Sequence, residues 1–306
     1  MSNYLVTGAA GFIGAAVAQN LINLGNKVVT VDNLTTGFRE AIPDGVQLIK
    51  GDCQDPKIIA SLQPFKFDAI LHIAGQSSGE ISYDDPLYDL QTNTQSTLLL
   101  LKLALETDCR KLIYASTMSV YGDHPNEPIT EEASTFPKSL YGVGKIASEH
   151  YMRIYQQYGI ETTSLRLFNV YGPGQNMKNL RQGMVSIYLE QALKNKHIIV
   201  KGSPDRYRDF VYIDDVVNAF LAALAKPQIS YNVYNVATGV RTTVEELIAV
   251  VQKKLPFEVS IEYSGSTPGD QFGIYGNCSK IKKELNWYPE VNLDIGIGKM
   301  VDWVLK

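Results

Sequence analysis

Tyr141 and Lys145 stand four residues apart in Tyr141-Gly142-Val143-Gly144-Lys145, a spacing that puts both on one face of a helix. With an ordinary pKa of about 10, a tyrosine is a poor base at neutral pH, but a nearby ammonium and the positive ring of an oxidised nicotinamide favour its phenolate. Such a pair can remove the proton of an alcohol as hydride leaves the same carbon. Among 18 tyrosines an isolated pair would mean little, because a lysine lying along a packed tyrosine is an ordinary arrangement. Its weight comes from Ser116 and Thr117, hydroxyls that end the strand-like run 111–115. At the carboxyl end of a central strand they point into the ligand crevice of an open α/β sheet, where one can hold a substrate oxygen.

A second group of residues could hold a dinucleotide. Gly8-Ala9-Ala10-Gly11-Phe12-Ile13-Gly14 lies between a strand-like run and a helical one. There Gly8 permits a tight turn, Gly11 lets the backbone approach a pyrophosphate, and Gly14 lets the helix pack close to the sheet. The N–H groups at Gly11, Phe12 and Ile13 supply the positive end of the helix to the phosphates. Asp32 ends the next strand about 20 residues on, where it can accept both adenosine ribose hydroxyls and would repel a 2′-phosphate, so NAD is expected rather than NADP. Asp52, in Gly51-Asp52-Cys53, is a candidate for the adenine amino group, a solvated turn being the competing reading. Ala74 and Gly75, in His72-Ile73-Ala74-Gly75, offer small residues against the phosphates and ribose. His72 itself reads as a packed or hydrogen-bonded histidine.

These groups require a scaffold that brings strand ends together. Strand-like runs at 4–7, 27–31, 46–50, 69–73, 111–115 and 162–168 alternate with helical periodicity, the signature of an α/β, doubly wound parallel sheet of the Rossmann type. Ile13, Val17, Leu21 and Leu24 recur at helical spacing, and Gly25 follows where a C-capping glycine belongs. Long helices are expected at 88–107 and 141–158. Beyond Tyr171 the chain is richer in Asn, Gln, Gly and Lys, with short elements separated by Pro204, Pro227, Pro256, Pro268 and Pro289. The division expected is a cofactor domain over 1–170, to which 209–237 return as a helix and a strand, and a smaller substrate-binding region over 171–306.

Composition narrows the function classes. The 306 residues are 45% hydrophobic and 20% charged, with 28 Lys+Arg against 32 Asp+Glu and a net charge of −4. No block of like charges marks a nucleic-acid or membrane surface, so an anionic ligand must be held locally. Three scattered cysteines fit a reducing compartment, and the absence of a leader or long apolar run fits a cytoplasmic location. Four histidines without metal-ligand spacing argue against a metal site. Gly75-Gln76-Ser77-Ser78-Gly79 matches G-x-S-x-G, but a polar loop, not a helix, follows the serine, which argues against a hydrolase.

The motifs taken together are specific. Gly8-x-x-Gly11-x-x-Gly14, Asp32-Asn33-Leu34, Asn93, Ser116-Thr117-x-x-Val120-Tyr121-Gly122, Tyr141-x-x-x-Lys145, Arg166-Leu167-Phe168-Asn169-Val170-Tyr171-Gly172-Pro173 and Arg208-Asp209-Phe210-Val211-Tyr212-Ile213-Asp214-Asp215 span nearly the whole chain. In them the chain resembles an extended short-chain dehydrogenase/reductase of the nucleotide-sugar epimerase/dehydratase family. The resemblance implies Tyr141 as base, Lys145 as the residue that holds the nicotinamide ribose and tunes the tyrosine, and Thr117 as the hydroxyl sharing the substrate's O4 proton, with Ser116 second. It implies Asn33, Cys53, Asn93 and Phe168 as further cofactor contacts. For the substrate it implies Asn169 and Arg208 at the diphosphate, with Gln76, Ser77, Gln182 and Asp270 as further contacts. It also implies a homodimer paired through the two long helices, with Leu98, Leu101 and Leu105 at suitable spacing.

The reaction follows from what stands after Thr117. Dehydratases of the family carry an acid pair there for elimination of water, whereas this chain has Met118 and Ser119. Reversible oxidation at C4 of a nucleotide-diphosphate sugar, a UDP-sugar first, is therefore expected, giving a 4-epimerase. A nucleotide-sugar reductase or dehydrogenase and a non-catalytic NAD-binding regulator are the alternatives. Two departures bear on the substrate. Thr267 stands where the family often has an arginine, and Ile274 occupies the position whose bulk, in related enzymes, admits or excludes an N-acetyl group. Glu80 has no assigned role.

Overall fold

The computed structural model describes residues 1–124, 128–227, 231–265 and 271–306. β1 (Asn3–Thr7) leads through α1 (Phe12–Asn23) to β2 (Lys27–Asp32) and β3 (Val46–Lys50), and α2 (Pro56–Ala60) leads to β4 (Ala69–His72). α3 (Pro86–Leu90), a π-helical turn (Gln91–Gln95) and α4 (Ser96–Glu106) cross to β5 (Lys111–Thr117), and α5 (Leu140–Tyr155) crosses to β6 (Glu161–Leu167). There follow β7 (Asn169–Tyr171), α6 (Met184–Asn195), β8 (His197–Lys201), β9 (Tyr207–Arg208), β10 (Phe210–Tyr212), α7 (Ile213–Ala225) and β11 (Asn232–Val236). β12 (Thr242–Thr243), α8 (Val244–Lys254), β13 (Ser260–Ser264), α9 (Ser279–Leu285) and α10 (Leu293–Val304) complete the chain.

β11, β6, β5, β4, β1, β2 and β3 lie side by side in that order, every neighbouring pair parallel. The strand order reverses between β1 and β4, which is where open sheets of this class bind ligands. Period-two alternation explains how one sheet fills two cores. Leu5, Ile70 and Leu112 enter one buried cluster with α4, and their neighbours Val6, Leu71 and Ile113 enter another with α1 and α7. A third cluster, including Tyr171, Leu189, Ile198, Leu247 and Met300, lies under α6, α8 and α10. α1 ends where its sequence says it must. Gly25, at φ 78°, donates to Ile22 O, and Asn26 donates to Leu21 O, the paired bonds of a Schellman cap.

Three elements depart from the sequence expectation. The helix expected over 88–107 is interrupted by the π-helical turn, a feature hydrophobic periodicity does not encode. α5 gives way after Tyr155 to a tighter turn over Gln156–Tyr158. The helix expected from Asp209 begins at Ile213, because Phe210–Tyr212 is a strand paired with β7. Of the leucines considered for an interface, Leu101 is fully buried against the sheet.

A buried ion pair ties α5, β5 and β6 together. Glu149 accepts from Arg166 Nε at 3.0 Å and Nη2 at 2.7 Å, from Ser116 Oγ at 2.5 Å and from Tyr231 OH at 3.3 Å. The guanidinium lies 4.7 Å from the centre of the Tyr121 ring. Breaking one side of such a pair strands a charge. Glu149→Leu should therefore cost about 3–5 kcal/mol of unfolding free energy, and Glu149→Leu with Arg166→Met should recover most of it. Denaturant midpoints would read both, and equal losses in single and double variants would contradict the coupling.

Candidate active site

The glycine loop closes against β4. A Cβ on Gly8, at φ 78°, would come within 2.9 Å of Ala74 N and Cα, and one on Gly14 within 2.1 Å of Gly8 O, so loop, helix and sheet meet with no room for side chains. The first-turn N–H groups of Phe12, Ile13 and Gly14 have no helical carbonyl before them, a cradle suited to a diphosphate. Thr7 Oγ1 accepts from Ile73 N and Ala74 N and meets His72 Nδ1 at 2.9 Å, fixing the β4 end from below. His72 is a buried structural group, held uncharged by burial and by the Lys145 charge, which bring it down to about 3.

Asp32 accepts from Ala10 N at 2.9 Å and Leu34 N at 2.8 Å, one bond to each oxygen. Each oxygen keeps a lone pair for a ribose hydroxyl. Leu34 adopts φ 62°, a left-handed conformation held by that bond. Asn33 Nδ2 donates to Asp52 Oδ2 at 2.7 Å, and Cys53 is buried beside them, where burial pushes its thiol up and keeps it protonated. These residues meet at the carboxyl ends of β2 and β3, beside the glycine loop. Past the end of β4 Asn93 Oδ1 is buried without a partner, and a Cβ on Gly75 would meet it at 2.4 Å. The cradle thus fits a dinucleotide.

Ser139 caps α5 by accepting from Gly142 N at 3.1 Å, and the helix carries Tyr141 and Lys145 over the end of β5. Lys145 Nζ donates to Ala115 O at 2.9 Å and lies 4.6 Å from the Tyr114 ring centre and 5.7 Å from that of Tyr141. Burial brings the lysine down to about 8, opposed by Asp89 and then Glu149. Burial pushes the Tyr141 phenol up to about 12, opposed by the hydroxyl of Thr117. Thr117 Oγ1 also lies 3.2 Å from Ser119 Oγ. Ser116, the second candidate hydroxyl, is committed to Glu149 and belongs to the buried ion pair.

A cavity of about 650 Å³ opens beside these groups, lined among others by Phe168, Asn169, Gln182 and Arg208. Asn169 Oδ1 is buried without a partner. Arg208 is held rigidly, donating to the carbonyls of Tyr207 at 2.7 Å and Gln271 at 2.8 Å. Gln182 Nε2 donates to Ser77 Oγ at 2.6 Å, and Arg181 pairs with Glu80 at 3.2 Å and Asp84 at 2.7 Å, so two loops join across the cavity mouth. Neither Gln76 nor Ile274 is among the residues lining this cavity. Gln76 turns inward, donating to Asp89 Oδ1 at 2.8 Å, because that buried carboxylate needs donors. Ile274 is fully buried in the core beside Val120 and Tyr121 and does not line the cavity. Asp270 and Thr267 lie outside the described residues.

Sequence reasoning missed Asp89 and Glu149, and named Asp209 within a motif without giving it the role it has here. Asp209 is fully buried and accepts from Thr238 N, Thr238 Oγ1 and Gly239 N at 2.6–2.9 Å, pinning the strand that carries Arg208. Only the burial of an acid four positions from a site residue (Asp89 to Asn93, Lys145 to Glu149) could have signalled the first two. Among the described residues, no group of three His, Cys, Asp or Glu side chains is placed to hold a metal, and no helix is long and apolar enough to cross a membrane.

Residues 4–237 match the model of the NAD dependent epimerase/dehydratase family. A putative UDP-glucose 4-epimerase of Methanocaldococcus jannaschii is 33% identical over 98% of this chain and 97% of its own. The crystal structure of UDP-glucose 4-epimerase from Thermotoga maritima with UDP-glucose superposes with a TM-score of 0.95 at 32% identity, covering 99% of this chain and 98% of that one. The Thermus thermophilus UDP-glucose 4-epimerase complex with NAD gives 0.92 at 34%, covering 98% of each. The loop geometry sets a test. Gly14→Ala forces a methyl group onto a backbone oxygen and should strip the purified protein of bound nucleotide, with a stability loss of about 1–3 kcal/mol. Chromatography of nucleotide released on denaturation checks it; an undiminished NAD content would contradict the close-packing role.

Proposed function

The chain belongs to the NAD-dependent epimerase/dehydratase family, and from that premise we propose that it inverts C4 of a UDP-hexose or UDP-N-acetylhexosamine through a transient 4-keto sugar. The observation that carries this reading is the composition of the site around β5. Thr117 and Tyr141 meet there over a buried lysine, while the residues after Thr117 are Met118 and Ser119. Elimination or decarboxylation needs an acid or base beyond the tyrosine. Glu80, a further carboxylate at the cavity wall, is engaged by Arg181.

NAD, when bound, takes up the hydride of C4 and later returns it. The chain's own residues do the rest. Thr117 holds O4 and passes its proton toward Tyr141, whose phenolate is favoured by the Lys145 ammonium. The keto oxygen so formed takes the same proton back once the sugar has turned its other face. Gly8, Gly11 and Gly14 with Phe12 and Ile13 hold the cofactor diphosphate, Asp32 and Asn33 its adenosine side, and Asn169 and Arg208 the diphosphate of the sugar nucleotide, a charge-assisted contact suited to guanidinium. Two copies pair through α3 and α5, a reading supported by exposed Leu87, Leu90, Leu140, Val143 and Ile154 on these helices.

Purified protein incubated with UDP-hexoses and UDP-N-acetylhexosamines, without added cofactor, should interconvert a C4 pair visible in proton NMR. Net release of reduced cofactor, or no inversion with any of them, would count for a dehydrogenase or another nucleotide. Tyr141→Phe and Thr117→Val should each lower kcat by about 10²- to 10⁴-fold while NAD stays bound. An active Tyr141→Phe variant would sink the assignment of the base.

A further inference from the structure

We infer that Asp89 is a positioning residue of this site: it fixes the amide of Asn93 and keeps Lys145 in its charged form. Asp89 is 1% exposed, at the end of α3. Its Oδ1 accepts from Gln76 Nε2 at 2.8 Å and from Asn93 Nδ2 at 3.1 Å. With the amide nitrogen of Asn93 donating to this carboxylate and, at 2.9 Å, to Gln76 O, its Oδ1 must face the other way. That way lies Gly75, where a built Cβ would stand 2.4 Å from Asn93 Oδ1 and 3.5 Å from Lys145 Nζ, so oxygen and ammonium flank the same missing side chain. Reversed, the amide would turn its N–H donors on the lysine. Gly144 brings the carboxylate close to α5, since a Cβ there would lie 3.6 Å from Asp89 Oδ2.

A buried ammonium needs compensating charge from the elements around it. Lys145 faces Asp89 from α3, Glu149 and Tyr141 on its own helix, Tyr114 and Ala115 O from β5, and a neutral His72 from β4. Glu149 already carries Arg166, whereas the hydrogen-bond donors on Asp89 are neutral amides. Asp89 is therefore the carboxylate whose charge is left for the lysine.

The inference rests on Lys145 serving Tyr141 as proposed above, so its test includes a readout independent of turnover. In NAD-loaded protein, the pH midpoint for reductive methylation of Lys145 by formaldehyde and a borane, followed by peptide mass spectrometry, reports where the ammonium loses its proton. Removing a neighbouring carboxylate lowers a lysine pKa, so Asp89→Asn should move the midpoint down by about one unit, and Asp89→Glu should restore it. The alkaline limb of kcat should move to lower pH in step, because the ammonium is present only below its pKa. An unmoved midpoint in Asp89→Asn, or in Asp89→Ser should the first variant not fold, would overturn the inference. A shifted midpoint in a protein that inverts no sugar would leave the role of Asp89 standing and remove the epimerase reading instead.

Discussion

An ammonium taken out of water keeps its proton only where the protein replaces the hydration it has lost. At Lys145, 3% exposed, the replacements are a carbonyl at 2.9 Å, a tyrosine face and two carboxylates contributed by different helices. Each must be delivered by the fold. Ala115 O is available because it lies near the carboxyl end of β5, at the sheet edge that α5 crosses. Asp89 is available because α3 yields to the π-helical turn, which presents Asn93 one turn on. Glu149, one turn along α5, contributes as well, though its charge is shared with Arg166 of β6. The sheet order thus brings these compensating groups to one place.

The same edge must also attract anions in a chain of net charge −4. Long-range attraction cannot do this, but local dipoles and fixed cations can. The first turn of α1 offers unsatisfied N–H groups on a loop whose glycines let the backbone itself make the contact. Arg208 offers a guanidinium already fastened to the carbonyls of Tyr207, Gln271 and Phe272, so little side-chain freedom would be left to lose in meeting a phosphate. Asp209 beside it accepts from Thr238 and Gly239. Neighbouring opposite charges thus have separate tasks, one holding a strand and the other facing the cavity.

Much of this was legible in the sequence because it is local. A glycine loop between strand and helix, an acid at the next strand end, and a tyrosine and lysine one helical turn apart all express backbone geometry over a few residues. The π-helical turn was not legible, since one extra residue per turn leaves no periodic signature. Nor was the orientation of Gln76. As a polar residue after a central strand it suits a ligand as well as a carboxylate, and only the position of Asp89, across a crossover connection, decides. Ser116 is the same case: it stands next to Thr117 at one strand end, and only the fold shows that its hydroxyl donates to Glu149.

The proposed reaction asks for a contradiction that the site's construction answers. Inversion at C4 requires one diphosphate held firmly and one hexose held loosely enough to present both faces. In the proposal the firm end is assigned to two residues of the cavity lining, Asn169 and Arg208, the second fastened to backbone carbonyls. The loose end is bounded by loops, residues 77–84 and 180–182, joined across the mouth by exposed ion pairs of Arg181 and a bond from Gln182. Exposed pairs of this kind are worth little individually, about 0–1 kcal/mol, whereas breaking one side of a buried pair such as Glu149 with Arg166 costs about 3–5 kcal/mol. Burial separates the two: the same charge chemistry is strong below the sheet edge and weak above it.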